Sequence, residues 1–264
     1  MQYVDQLQNK FYLEKTPQRI ISLVPSITEL LVDLGLQDSI VGVTKFCVHP
    51  DIIRKEKTIV GGTKNIKIEL IKELNPDIIL CNKEENTKEI VEACNAITTT
   101  HISDIYSISD TLQVINQYGK LFSCEEKATN IIDDILENQN NFSSFIAQQK
   151  SKKVAYFIWK KPWMVAANNT FINQLLEINK FDNVFKTKER YPEIYLKELQ
   201  SNEKLEVVFL SSEPYPFKEK DILELQEKLP NIKIVLVDGE MFSWYGSRLI
   251  KAFDYFKKLH KEIN

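Results

Sequence analysis

Cys47 and His49 stand two positions apart in the stretch TKFCVHP, residues 44–50. A thiolate and an imidazole can both ligate a metal, and a Cys that faces a His can act as a nucleophile beside its base. In an extended segment, positions i and i+2 point to the same side, so these two side chains can meet. A metal site needs further ligands, and no C-x-x-C pair or second C-x-H supplies them. A structural loop explains the same residues more simply. The metal reading (His49, Cys47), the nucleophile reading and the loop reading all stay open here. Other catalytic patterns are missing: there is no G-x-S-x-G, H-E-x-x-H or phosphate-loop spacing. Glu84 and Glu85 could form an acid–base pair, but only with a geometry that sequence does not show. His101 follows a threonine run and reads as structural. His260 lies among lysines near the end of the chain and reads as solvated.

These residues need elements to hold them. In 264 residues, 34 basic and 37 acidic side chains leave a net charge of −3. That balance provides no basic field for nucleic acid. The four cysteines are scattered and read as free thiols, which favours a reducing compartment. The N-terminus lacks the apolar run of a secretory signal, because Asp5, Lys10, Glu14 and Lys15 interrupt it. As written, the expectation is a cytoplasmic protein, or a periplasmic one if the start is trimmed.

Short β-rich runs alternate with helical patterns, which implies parallel sheets covered by helices. RIISLV, SIVGVT, KTIVGG, the DIIL of NPDIIL and AITTTHI read as strands of a first lobe. Ser26 reads as a helix N-cap, with Glu29 at the capping-box spacing. From Ser109 to Lys150 a helical rhythm runs on with Ser123-Cys124 as its candidate break, a spine between two lobes. Strand–helix alternation then resumes through KVAYFIW, LEVVFLSS and IKIVLVD, closing with the helix SRLIKAFDYFKKLHKEI. A helix–turn–strand unit, IELIKELNPDIILCNKEE, is echoed by IYLKELQSNEKLEVVFLSSEP. The expected fold is α/β, two Rossmann-like lobes with mainly parallel sheets joined by a long rigid helix. Its parts are an extension over 1–18, an N-terminal lobe over 19–108, a linking helix over 109–150 and a C-terminal lobe over 151–264.

Ligands of open α/β sheets bind beyond the carboxyl ends of the strands. Those ends carry Pro25, Ser26, Lys45, Phe46, His49, Lys64 and Asn82 in the first lobe. In the second they carry Trp159, Trp163, Tyr215, Phe242, Trp244, Tyr245 and Arg248. All three tryptophans lie there, interleaved with cations, a composition suited to a bulky, anionic or carbonyl-rich ligand. Any single ring could equally cap the core.

Taken together, these pieces resemble the class III, helical-backbone substrate-binding proteins of ABC importers. The resemblance rests on RIISLVPSITELLVDLGLQDSIVGVT, VGGTKNIKIELIKELNPDIILCNKEEN, NNTFINQLLEINKFDNVF and GEMFSWYGSRLIKAFDYF, in that order. It implies two lobes joined by a helix with a ligand held between them, and binding without catalysis. The implied ligands are metal chelates: a corrinoid, haem or a ferric siderophore, with no covalent cofactor. Trp244 matches the family's cleft aromatic, and His49 would supply an axial ligand. The resemblance also implies a monomer that docks an ABC permease through one acid per lobe, with Glu84, Glu85 or Glu89 and Glu213 or Glu219 as candidates. The alternative is a cytoplasmic relative that binds a metal or metabolite without import.

Overall fold

Ile78–Asn82 and Val207–Ser211 are buried along their whole length. Strands so apolar belong at the centre of parallel sheets with both faces covered. The computed structural model describes residues 1–200 and 204–264, so the turn expected over Ser201-Asn202-Glu203 lies outside the described residues. The chain divides into two units, Met1–Leu136 with Tyr245–Ile250, and Glu137–Trp244 with Lys251–Asn264.

The first unit opens with a hairpin of β1 (Gln2–Val4) and β2 (Lys10–Tyr12). Then come β3 (Ile20–Ser22), α1 (Pro25–Asp33), β4 (Ile40–Val43), α2 (Ile53–Glu56), β5 (Thr58–Ile59) and α3 (Ile68–Glu73). β6 (Ile78–Asn82), α4 (Lys88–Asn95), β7 (Thr100–Ser103) and α5 (Ile108–Leu121) follow. Among the described residues the sheet runs β5-β4-β3-β6-β7, all parallel. From β3 the chain builds outward one way, then returns to add β6 and β7 on the other side. The carboxyl ends of β3 and β6 therefore flank a topological switch point, the crevice where such sheets bind ligands.

The hairpin was not expected from sequence. It is sewn to the β7 side by Asp5, whose carboxylate accepts from Leu7 N and Asn9 N within its own loop and from Ile102 N. Gln6 adds bonds to Asp104 N and to the Asp110 carbonyl. Segment 1–18 thus packs on this unit. Helix α1 corrects the expected cap: Val24 is the N-cap, Pro25 is the first helical residue, and no side chain caps the end. Proline at that position has a preset φ and no N–H to satisfy, so the helix starts one residue early and Ser26 is buried inside it. Glu29 is not in a capping box. Its Oε2 accepts from Arg248 Nε at 2.9 Å, and both side chains are buried. Gly246 (φ +92°) lets this returning segment lie against α1, because a Cβ there would meet Leu30 Cβ at 3.3 Å.

The expected spine is two helices. α5 ends at Leu121 and α6 spans Glu125–Ala147. Ser123 takes φ +55°, and Cys124 N returns to the Gly119 carbonyl, the wrap that closes a helix C-terminus. The 23 residues of α6 give about 34 Å rather than the ~60 Å of an unbroken rod.

The second unit contains β8 (Lys152–Trp159), β9 (Met164–Val165), α7 (Phe171–Ile178), β10 (Phe181–Asn183), α8 (Leu196–Gln200) and β11 (Val207–Ser211). It closes with α9 (Glu219–Lys228), β12 (Lys233–Val237), α10 (Gly239–Ser243) and α11 (Leu249–Ile263), whose first two residues belong to the first unit. Its parallel strands run β10-β8-β11-β12, with β9 antiparallel to β8. Here the switch point lies between β8 and β11. One face is covered by rings: Phe142 meets Phe253 and Phe256, and Phe242 meets Tyr156 and Phe256. His260 belongs to this layer. It is buried, stacked on Phe181 at 4.6 Å, and not solvated as its lysine neighbours suggested. Lys258 and Lys261, at i−2 and i+1, point to other sides of the helix, so local composition misreads the buried face. Among the described residues no helix is long and apolar enough to cross a membrane.

Two predictions follow from these buried titratable groups. Burial lowers His101 and His260 to about 4, below the 6.5 of an unfolded histidine. Between those values the unfolded chain binds more protons, so the stability these groups contribute is complete above pH 6.5 and drains as pH falls toward 4. Urea unfolding followed across that window should show a loss approaching ~1.4 kcal/mol per pH unit per histidine. His101→Gln and His260→Gln should each flatten the profile; a level profile in the natural chain would contradict the burial. Arg248→Met should cost about 3–5 kcal/mol by stranding the Glu29 carboxylate, while the apolar pair Glu29→Leu with Arg248→Met should recover most of it. Urea midpoints of the three chains decide.

Candidate functional site

In the first unit the strand ends are tied together by two amides. Asn86 Oδ1 accepts from Asn82 N at 2.9 Å, while Asn86 Nδ2 donates to the Thr63 carbonyl at 3.0 Å and the Leu23 carbonyl at 3.5 Å. Asn82 Nδ2 reaches Ser103 Oγ at 3.0 Å, and its Oδ1 accepts from Glu84 N and Glu85 N. The ends of β3, β6 and β7, and the loop after β5, are thereby held by side-chain bonds where the sheet's own ladder stops. Backbone groups at such an end would otherwise lack partners. Sequence reasoning singled out Asn82 and passed over Asn86 and Ser103; the N-x-x-x-N spacing directly after a buried strand was the available signal.

Around this frame Pro25 and Ser26 open α1. Tyr245 is buried, and its hydroxyl bonds Ser103 Oγ at 3.3 Å and the Ser26 side chain. Burial pushes Tyr245 far above the usual tyrosine range, so it stays a neutral phenol. Lys64 Nζ donates to the Glu84 carbonyl at 2.6 Å. Burial also raises the Glu85 carboxyl, with Lys64 pulling it back and Glu84 adding to the rise. On the loop after β4, Phe46 is 49% exposed, with Lys45 Nζ 4.9 Å from its ring centroid. The Phe46 ring lies on Gly62, where a Cβ would meet Phe46 Cε2 at 3.1 Å.

Cys47 faces inward. Its thiol is fully buried between Thr28 Oγ1 at 3.1 Å and Thr44 Oγ1 at 3.3 Å, and burial pushes it up. His49 is half-buried two residues on. Among the described residues no group of three or more His, Cys, Asp or Glu side chains is gathered around a common point. Arg248 is buried against Glu29.

In the second unit, Trp159 at the end of β8 meets Tyr215 in the loop after β11, edge to face at 5.6 Å. The pair sits at that unit's switch point, and Trp159 is 38% exposed. Trp163 is partly buried and stacks on Phe217 at 6.1 Å, while Phe217 meets Tyr215 at 4.7 Å. The loop is braced by Lys160, whose Nζ lies 2.6 Å from both Asp221 and Glu224. Burial works against charge on Lys160, but the two carboxylates outweigh it and hold the ammonium's pKa above its usual value.

Phe242 is fully buried among Tyr156, Phe209 and Phe256, a core ring. Trp244 is buried, its Nε1 donating to Glu213 Oε1 at 2.9 Å; Ser243 Oγ donates to the same oxygen at 2.6 Å. Gly239 permits this approach, since a Cβ there would fall 2.6 Å from Glu213 Cγ. Of the acids singled out from sequence, Glu89 in the first turn of α4 and Glu219 at the start of α9 are exposed. Glu84, Glu85 and Glu213 are half-buried.

The chain is similar to an uncharacterised ABC transporter substrate-binding lipoprotein of Bacillus subtilis, 27% identical over 176 residues, 63% of this chain and 55% of that one. It thus spans less than two thirds of the length of the curated relatives it matches. Its fold is similar to the crystal structure of the periplasmic vitamin B12-binding protein BtuF of Vibrio cholerae, with a TM-score of 0.81 at 19% identity over 94% of this chain and 98% of that one. The periplasmic haem-binding protein RhuT from a Roseiflexus species gives a TM-score of 0.81 at 15% identity, covering 93% and 98%. Both carry the two-lobe α/β fold expected from the sequence. A family model described as "Periplasmic binding protein" matches residues 20–230, and the chain belongs to that family.

Proposed function

We propose that the protein is a solute receptor that holds a metal chelate (a corrinoid, haem or a ferric siderophore) and delivers it to an ABC importer. The observation that carries this is the Trp159–Tyr215 pair, an exposed indole set edge-on against a second ring at a switch point. A large exposed ring keeps apolar surface in water and suits a partner with a broad apolar face. Phe46 with Lys45 offers the same chemistry in the first unit: a ring for the face of a macrocycle and an ammonium for its carboxylate or carbonyl rim. Lys64, exposed in the loop after β5, adds a second ammonium in that unit, while Asn82 and Ser26 are buried beneath the strand ends. The names of the B12- and haem-binding neighbours support the ligand class.

In this reading the protein binds and does no catalysis. The metal arrives inside its chelator, so His49 needs to offer at most one axial nitrogen. Glu89 and Glu219, the exposed acids, are the permease-docking candidates, one per unit. The working compartment lies outside the cytoplasmic membrane, as for the lipoprotein and periplasmic relatives, and the receptor acts as a monomer.

Tryptophan fluorescence of the purified chain, titrated with cyanocobalamin, hemin and a ferric siderophore, tests this. One ligand should quench saturably, and Trp159→Ala should weaken that ligand about tenfold or more, the scale of ~1.4 kcal/mol for a lost ring contact. No saturable quenching by any of the three would overturn the reading.

A further inference from the structure

Cys81 and Cys94 lie outside the exposed surface just described. Strand alternation puts Ile79 and Cys81 on one face of β6, and helical spacing puts Ile90 and Cys94 on one side of α4. The two faces pack together in a cluster with Ile21, Leu23 and Ile102. Both thiols are fully buried within this one cluster. Buried cysteines commonly serve as small apolar side chains. That would explain each alone, but not two of them placed in one buried cluster across a strand–helix interface. The other two cysteines differ: Cys47 bonds threonine hydroxyls, and Cys124 sits partly exposed in the turn between α5 and α6.

We propose that Cys81 and Cys94 are a latent disulfide site, a dithiol that oxidises to a cross-link between β6 and α4. The oxidant is a small-molecule or protein disulfide. The first thiolate attacks one sulfur of that disulfide, whose S–S bond breaks; a mixed disulfide forms and one thiol leaves. The second thiolate then attacks the chain's own sulfur in the mixed disulfide. The Cys81–Cys94 bond forms and the second thiol leaves. Two electrons and two protons pass from the pair to the oxidant's two thiols. Either thiol can make the first attack while the chain is still open, before burial closes over the pair. The cross-link would close a loop containing Asn82 and Asn86, the two amides that tie the strand ends together. Oxidation therefore stiffens the frame of the first unit's switch point and restricts the unfolded chain.

The test refolds the full chain from urea in a buffer of reduced and oxidised glutathione, so that burial cannot protect the pair from the oxidant. The product is quenched with acid, unfolded, alkylated and mapped by mass spectrometry. The expected result is one peptide pair joined through Cys81 and Cys94, two hydrogens lighter than the dithiol form. Cys47 should carry the alkylating agent and Cys124 either that agent or glutathione. Dithiothreitol should restore four alkylated cysteines and lower the urea midpoint. A chain lacking Cys47 and Cys124 (Cys47→Ala, Cys124→Ala) should form the same cross-link. Recovery of Cys81 and Cys94 as separate alkylated or glutathionylated residues, while Cys124 is fully modified, would overturn the proposal. So would a cross-link that joins either to Cys47 or Cys124.

Discussion

A parallel strand buried on both faces can satisfy its backbone only through its neighbours, and its connection must cross back over the sheet. Every carboxyl end then emerges on the same edge, and the backbone groups there lose their ladder partners. In the first unit, Asn82 and Asn86 supply what the ladder no longer can, bonding Leu23, Thr63, Glu84, Glu85 and Ser103. The surface around Lys45, Phe46 and Lys64 depends on that frame. In the second unit the corresponding loops are held by an ion cluster, Lys160 with Asp221 and Glu224, and by Ser211 Oγ, which accepts from Tyr156 OH and from Glu213 N. Two different chemistries solve one geometric problem.

One ion pair is buried inside the first unit. Glu29 and Arg248 are 219 positions apart in sequence and meet where water is excluded. A buried ion pair is seldom a net gain over apolar packing, but it penalises any arrangement that separates its members. Here it specifies that residues 245–250 return to α1, with Gly246 allowing the close approach and Tyr245 bonded to Ser103 beside it. The same logic separates exposed aromatics from structural ones. Trp159 keeps exposed surface, whereas Trp244 spends its indole N–H on Glu213 and Phe242 has no exposed surface.

Much of the architecture was readable from local pattern. The runs IISLV, PDIIL, VAYFIW, EVVFLS and IKIVLV mark the principal strands because a doubly covered strand must be apolar throughout. The break at Ser123-Cys124 was visible as an interruption in a helical rhythm. Short pieces were not readable: β1, β2, β9 and β10 have two or three residues each, too few for any period to show. His260 was misread because its sequence neighbours are lysines, while its spatial neighbours are Phe181 and Phe145. Ser26 was misread because Pro25 makes an equally good helix start.

By itself, the sequence determined the element types, the parallel α/β class and the gathering of aromatic and basic residues at strand ends, since these follow from periodicity within a dozen residues. Only the tertiary structure decided which side chains from those ends face outward. Phe46 and Trp159 do; Cys47, Phe242, Trp244 and Arg248 do not. The physical reason is that exposure and partner choice depend on residues scores of positions away, and a one-dimensional pattern carries no record of which distant group completes a buried bond.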